Sequence, residues 1–67
     1  MSILWFMVEW KQVVDAALEV YTKEGVELWM TSPNRMLGDR SPEDLIWAGE
    51  TRRVLDYIDF LAEGNFA

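Results

Sequence analysis

Asp56 and Asp59 stand three residues apart, and Asp59 and Glu63 four apart, so in a helix these carboxylates share one face. Paired carboxylates can exchange a proton as acid and base, or hold a hard cation through their oxygens. Either chemistry needs more than the pair. The sequence carries neither a phosphate-cradling glycine loop nor calcium-loop spacing, and it has no cysteine and no histidine. Thiolate nucleophiles, sulfur or imidazole metal ligands, and a Ser/His/Asp arrangement are thereby excluded. The carboxylates read as a solvated acidic face, and the chain is expected to be noncatalytic, with no cofactor and no metal.

The elements that must position any functional group are bounded by length and composition. Sixty-seven residues is well under the roughly 150 of an average domain, so residues 1–67 are read as one small domain and a two-lobed enzyme is excluded. With 51% hydrophobic and 27% charged residues, four glycines and two prolines, the chain is too apolar for a disordered acidic tail. Twelve acidic against six basic side chains give a net charge of −6, which opposes a phosphate backbone and argues against direct nucleic-acid binding. The lack of cysteine fits a reducing compartment, so a cytoplasmic location is expected. The first eight residues are apolar, but no basic segment precedes them, Glu9 follows, and they fall far short of the ~20 residues of a membrane span. Neither a signal peptide nor a membrane helix is expected.

Ile3, Phe6, Met7, Trp10, Val13, Val14, Ala17, Leu18 and Tyr21 recur at helical steps, predicting an amphipathic helix from Ser2 as N-cap to about Lys23. Its other face carries Glu9, Lys11, Gln12, Asp15 and Glu19, but before them Leu4, Trp5 and Val8. That first part is apolar all round and needs cover on two sides. Self-association or docking through Leu4, Trp5 and Val8 is one reading; a frayed or strand-like N-terminus folded over its own core is the other. Gly25 interrupts the pattern, and Val26, Leu28, Trp29 and Met30 make a short second helix. Ser32-Pro33-Asn34 stops it, leaving Ser32 to Arg40 as a loop.

Ser41-Pro42-Glu43-Asp44 supplies a capping hydroxyl, proline at the first helical position and acidic side chains against the helix dipole. A third, short helix begins there, turns Leu45, Ile46 and Trp47 inward, and ends near Gly49. Val54, Leu55, Ile58, Leu61 and Ala62 form the stripe of a last helix that closes at about Glu63 with Gly64 as its left-handed cap. The fold class is all-α: a compact bundle of about four helices, with a long N-terminal helix, two short ones and a C-terminal one.

Trp10, Trp29 and Trp47 are assigned to the core and Trp5, off the main stripe, to an interface. Arg35, Asp39 and Arg40 share one loop and could pair with a partner, although an exposed ion pair contributes only about 0–1 kcal/mol. Arg52 and Arg53 read as a solvated side of the last helix. A core this small, with no disulfide or metal, rarely supplies more than about 3–5 kcal/mol, which favours an oligomer or a docked partner.

The run Trp29-Met30-Thr31-Ser32-Pro33-Asn34-Arg35-Met36-Leu37-Gly38-Asp39-Arg40-Ser41-Pro42-Glu43-Asp44-Leu45-Ile46, followed by Val54-Leu55-Asp56-Tyr57-Ile58 and then Gly64, resembles the C-terminal toxin-binding domain of the Xre/MbcA/ParS antitoxin family. The resemblance implies an all-helical module that neutralises a RES-type toxin, an enzyme that consumes NAD+. It also implies that residues after the last glycine reach the toxin's active-site entrance. Gly64, Asn65, Phe66 and Ala67 are the positions onto which that role maps, and the expected mechanism is steric occlusion. Asp39 stands where the family often has a second glycine and Glu50 near another, so the turn and the junction before the last helix are expected to differ. These 67 residues leave no room for the family's N-terminal helix-turn-helix, so autorepression is not carried over. A minimal antitoxin, one chain of a split system, a phage or mobile-element decoy, and a structural dimerisation module all stay open.

Overall fold

The computed structural model describes residues 3–64, and Asn65, Phe66 and Ala67 lie outside the described residues. The order of elements is α1 (Leu4–Ala17), α2 (Lys23–Thr31), a 3-10 turn (Arg35–Leu37), α3 (Pro42–Trp47) and α4 (Thr51–Ala62). Helix α1 packs on α3 and α4, while α2 packs on α3 and α3 on α4. The core between them is Val13 and Ala17 from α1, Val26 and Met30 from α2, Leu37, Leu45 and Ile46, and Val54 and Ile58 from α4. The expected all-α class and helix order are therefore what the chain adopts. No described helix is long and apolar enough to cross a membrane.

Helix α1 is shorter than its apolar periodicity predicts: it begins at Leu4 with Ile3, not Ser2, at the N-cap position, and Ser2 lies outside the described residues. Past Ala17 the amides of Glu19 and Val20 bond three residues back, to the carbonyls of Ala16 and Ala17, tightening the last turn until the chain leaves the axis. Thr22 then takes an extended conformation, and its hydroxyl accepts the Gly25 amide at 3.1 Å. A capping hydroxyl there starts a new helix. Helix α2 thus begins at Lys23, and Gly25 lies inside its first turn instead of interrupting it. A Cβ at position 25 would lie 3.2 Å from Thr22 Oγ1 and 3.4 Å from Tyr21 Cβ, so a side chain there would press on the capping hydroxyl. Only Val26 and Met30 of α2 are buried, and Leu28 faces out.

Helix α3 starts as read. The Asp44 amide donates to Ser41 Oγ at 3.1 Å and the Ser41 amide to Asp44 Oδ2 at 3.4 Å, with Pro42 at the first position, a reciprocal capping box. It ends in a Schellman motif: Gly49, at φ 79°, donates to the Ile46 carbonyl and Glu50 to Leu45. That closure satisfies two orphan carbonyls and reverses the chain into α4. Helix α4 starts at Thr51, buries Val54, Ile58 and Leu61, and leaves Ala62 exposed. Gly64, at φ 93°, donates to the Leu61 carbonyl as the left-handed cap.

Two further assignments need correction. The segment 32–40 is not a plain loop, because Leu37 at its centre is 1% exposed and belongs to the core. Trp47 does not turn inward with Leu45 and Ile46: it is 49% exposed, since consecutive helical residues are about 100° apart and two of the three already fill the inward arc. Its ring stacks on Phe6 instead, with centroids 3.7 Å apart and planes at 12°.

Candidate functional site

The loop before α3 is built by Asn34. Its Oδ1 accepts the Met36 amide at 2.8 Å, its carbonyl accepts the amides of Leu37 and Asp39 at 2.9 Å, and its own amide donates to the Arg40 carbonyl at 3.1 Å. One residue thereby closes the 3-10 turn and pairs with Arg40 at the loop's end. Gly38 and Asp39 are both left-handed, at φ 73° and 62°. Aspartate tolerates that region through its short polar side chain, so Asp39 occupies a conformation suited to the second glycine expected there, and the turn closes with it. With Leu37 anchored inward, Arg35 and Met36 face outward.

The charges of this loop are partly spent on the chain itself. Arg40 Nη1 lies 3.2 Å from Glu50 Oε2, and Arg53 Nη1 lies 3.5 Å from Glu50 Oε1. The Arg53 guanidinium also lies against the Gly38 turn. Glu50 occupies the N-cap position of α4 but makes no side-chain cap there; it bridges two arginines instead. Arg52, on the outer face of α4, pairs with Asp56 at 3.1 Å one turn on. Arg35, Asp39 and Arg40 share one loop by their place in the chain, whereas Glu50 as the link from that loop to α4 is visible only in the structure. The signal was not in local spacing, because Arg40 and Glu50 are ten residues apart.

Another connection missed from sequence joins the first and last helices: the Thr51 hydroxyl donates to the Glu9 carboxylate. By sequence pattern Glu9 belongs to the solvated face of α1, and this bond draws it toward α4 instead. Past the C-terminal end of α1, Tyr21 packs against Trp29 with centroids 5.6 Å apart, and on α4 Tyr57 stacks on Phe60 at 6.3 Å. Burial first, and the neighbouring Tyr57 second, push the Tyr21 hydroxyl above its ordinary value of 10.0, because both disfavour the phenolate. Asp56 and Asp59 are exposed on α4, and no group of three acidic side chains able to hold a metal occurs among the described residues.

The first half of α1 presents apolar side chains to solvent: Leu4 is 66%, Val8 59% and Trp5 39% exposed. The segment is helical, so the alternative of a strand folded over the core is not what the chain does. Trp5 meets both Phe6 and Trp47 edge-on, at 5.9 and 5.8 Å. Gly64 closes the opposite end of the described chain. The expected contacts of Asn65, Phe66 and Ala67 lie outside the described residues.

The described residues form an all-α domain that offers a capped loop, a charged helix α4 and an apolar helix face as surfaces for contact. The chain belongs to the family described as the antitoxin Xre/MbcA/ParS C-terminal toxin-binding domain, which matches residues 16–64. It is similar to the mycobacterial cidal antitoxin MbcA of Mycobacterium tuberculosis and of Mycobacterium bovis, with 47% identity over 60 residues, covering 90% of this chain and 53% of the relative. It also superposes on a chain of the crystal structure of the M. tuberculosis MbcT-MbcA toxin-antitoxin complex with a TM-score of 0.87 and 45% identity, covering 92% of this chain and 56% of that one. The chain spans about half the length of the curated relatives it matches.

Proposed function

We propose that this domain is the toxin-binding part of an antitoxin and that it neutralises a RES-type, NAD+-consuming toxin by filling the entrance of its active site. The observation that carries this reading is the joint preservation of sequence and fold, with the family match running to Gly64. In this reading α4 is a stiff support. Its Val54, Ile58 and Leu61 stripe fixes it to the core, and the Gly64 cap redirects the chain so that Asn65, Phe66 and Ala67 enter the toxin cleft. The loop residues Arg35, Asp39 and Arg40 contact the rim. Arg40 is held by Glu50, and Arg35 is exposed and can reach a partner carboxylate. The action is steric and noncatalytic, needs no cofactor, and takes place in the cytoplasm. Residues 1–67 act as one domain, and its N-terminal helix face supports homo-oligomer formation.

The test is copurification of the chain with RES-type enzymes and measurement of NAD+ consumption with and without it. Protection of NAD+ is the expected result. Removing Asn65 to Ala67 should weaken protection while leaving helicity and thermal midpoint nearly unchanged, because terminal residues past a helix cap add little to a core. Equal protection by the truncated chain would remove the tail from the mechanism, and failure to protect against any such enzyme would overturn neutralisation.

A further inference from the structure

We propose that Arg40 and Arg53 form a docking fork for a carboxylate on the toxin surface, and that Glu50 is an internal competitor which the toxin's acidic side chain displaces. The inference rests on the toxin-binding reading above and adds the chemistry by which the partner is recognised. The fork already holds a carboxylate. Glu50 presents Oε2 to Arg40 Nη1 at 3.2 Å and Oε1 to Arg53 Nη1 at 3.5 Å. Each arginine thereby commits one nitrogen of a guanidinium that carries five N–H donors. The arginine side chains are 44% and 49% exposed and that of Glu50 41%, so the group stays open to solvent, and ion pairs this exposed are held weakly enough to exchange.

The backbone beneath the fork is fixed even though the side chains are not. The Asn34 amide donates to the Arg40 carbonyl at 3.1 Å, and the Glu50 amide to the Leu45 carbonyl at 2.8 Å. Arg53 stands in the first turn of α4, next to the fully buried Val54, and its Nη2 lies 3.6 Å from where a Cβ at Gly38 would stand. Loop and helix therefore present their guanidiniums side by side, which lowers the ordering cost of docking. Charge selects a carboxylate for this place. Two arginines against one glutamate leave +1 in a chain of −6, and among the described residues no other acidic side chain pairs with either arginine. Asp44, at the start of α3, is turned to its own capping box. A planar guanidinium matches carboxylate oxygens, and a positive spot on an acidic domain steers an acidic patch of the toxin to this face.

Equilibrium capture of RES-type enzymes by the unaltered chain and by variants tests it. Arg40→Gln and Arg53→Gln are each expected to weaken capture about tenfold, since each removes a charge-assisted hydrogen bond to the partner. Glu50→Gln removes the competitor and is expected to tighten capture about two- to fivefold. Arg52→Gln and Asp56→Asn make the same charge changes at the 3.1 Å pair on the outer face of α4 and are expected to shift capture less than about twofold. None of these side chains is buried, so every variant should keep the helical spectrum of the unaltered chain. Arginine variants that behave like Arg52→Gln would overturn the proposal, and so would a Glu50→Gln chain that binds no tighter than Asp56→Asn. Capture that ignores the fork overturns the fork alone. Fork-dependent capture without protection of NAD+ overturns neutralisation alone, and no capture by any of these chains overturns both.

Discussion

Leu37 and Met36 are neighbours in a segment that sequence alone reads as loop, yet the structure buries the first to 1% and leaves the second 53% exposed. Leu37→Ala deletes three buried carbons from the core cluster and leaves a hole that the 3-10 turn cannot close without undoing Asn34's bonds. Such substitutions cost about 2–5 kcal/mol, set against a total of roughly 3–5 kcal/mol for a core of this size. The expected outcome is a domain near its unfolding threshold at room temperature. With a urea slope of about 1 kcal/mol per molar for a small chain, even the lower cost moves the midpoint down by ~2 M. Met36→Ala should stay within about 0.5 kcal/mol, as surface changes do. Urea titration followed by circular dichroism compares the two directly. Equal, small shifts for both variants would refute the placement of Leu37 in the core and with it the account of how the loop is held.

Thr51→Val keeps the shape of a buried side chain but removes the hydroxyl that donates to Glu9, so it should cost about 1–2 kcal/mol, read as a lower thermal midpoint; no change would mean that the link between α1 and α4 carries no weight. Glu50→Gln releases Arg40 and Arg53, which are about half exposed; the expected loss is under about 1 kcal/mol and disappears at high salt, and a salt-independent loss in denaturant titrations would count against an ionic origin. Tyr21 is raised above its ordinary 10.0, so as pH climbs past that value the unfolded chain gives up its proton first and stability falls until the folded hydroxyl ionises too. Tyr21→Phe should flatten that alkaline loss in denaturation curves taken either side of pH 10, and an identical slope in both proteins would exclude Tyr21 as its source.

Much of the fold was legible because local rules act within a few residues. The Ser41-Pro42-Glu43-Asp44 start, the Gly49 stop and the Gly64 cap are each decided by backbone groups three to five positions away, and sequence displays such neighbours directly. The end of α1 was not legible. Val20 and Tyr21 continue the apolar period, yet they pack on the core from a turn, and periodicity reports burial without reporting conformation. Trp47 failed for a related reason: three successive apolar residues cannot all face one way on a helix, and which one is turned out depends on where Phe6 lies.

For the candidate site the division is the same. The residue types alone exclude thiolate and imidazole chemistry, set the acidic charge that argues against nucleic acid, and place Arg35, Asp39 and Arg40 in one loop. The ordered motifs identify the family. Only the tertiary structure decided that Glu50 holds Arg40 and Arg53, that Glu9 receives Thr51, that Leu37 is core, and that Trp47 packs on Trp5 and Phe6 while Leu4 and Val8 stay exposed. Glu50 and Arg53 are one helical turn apart, but the Arg40–Glu50, Glu9–Thr51 and Trp5–Trp47 contacts join residues ten to more than forty positions apart, and nothing in the spacing of such residues records the packing that closes the distance between them.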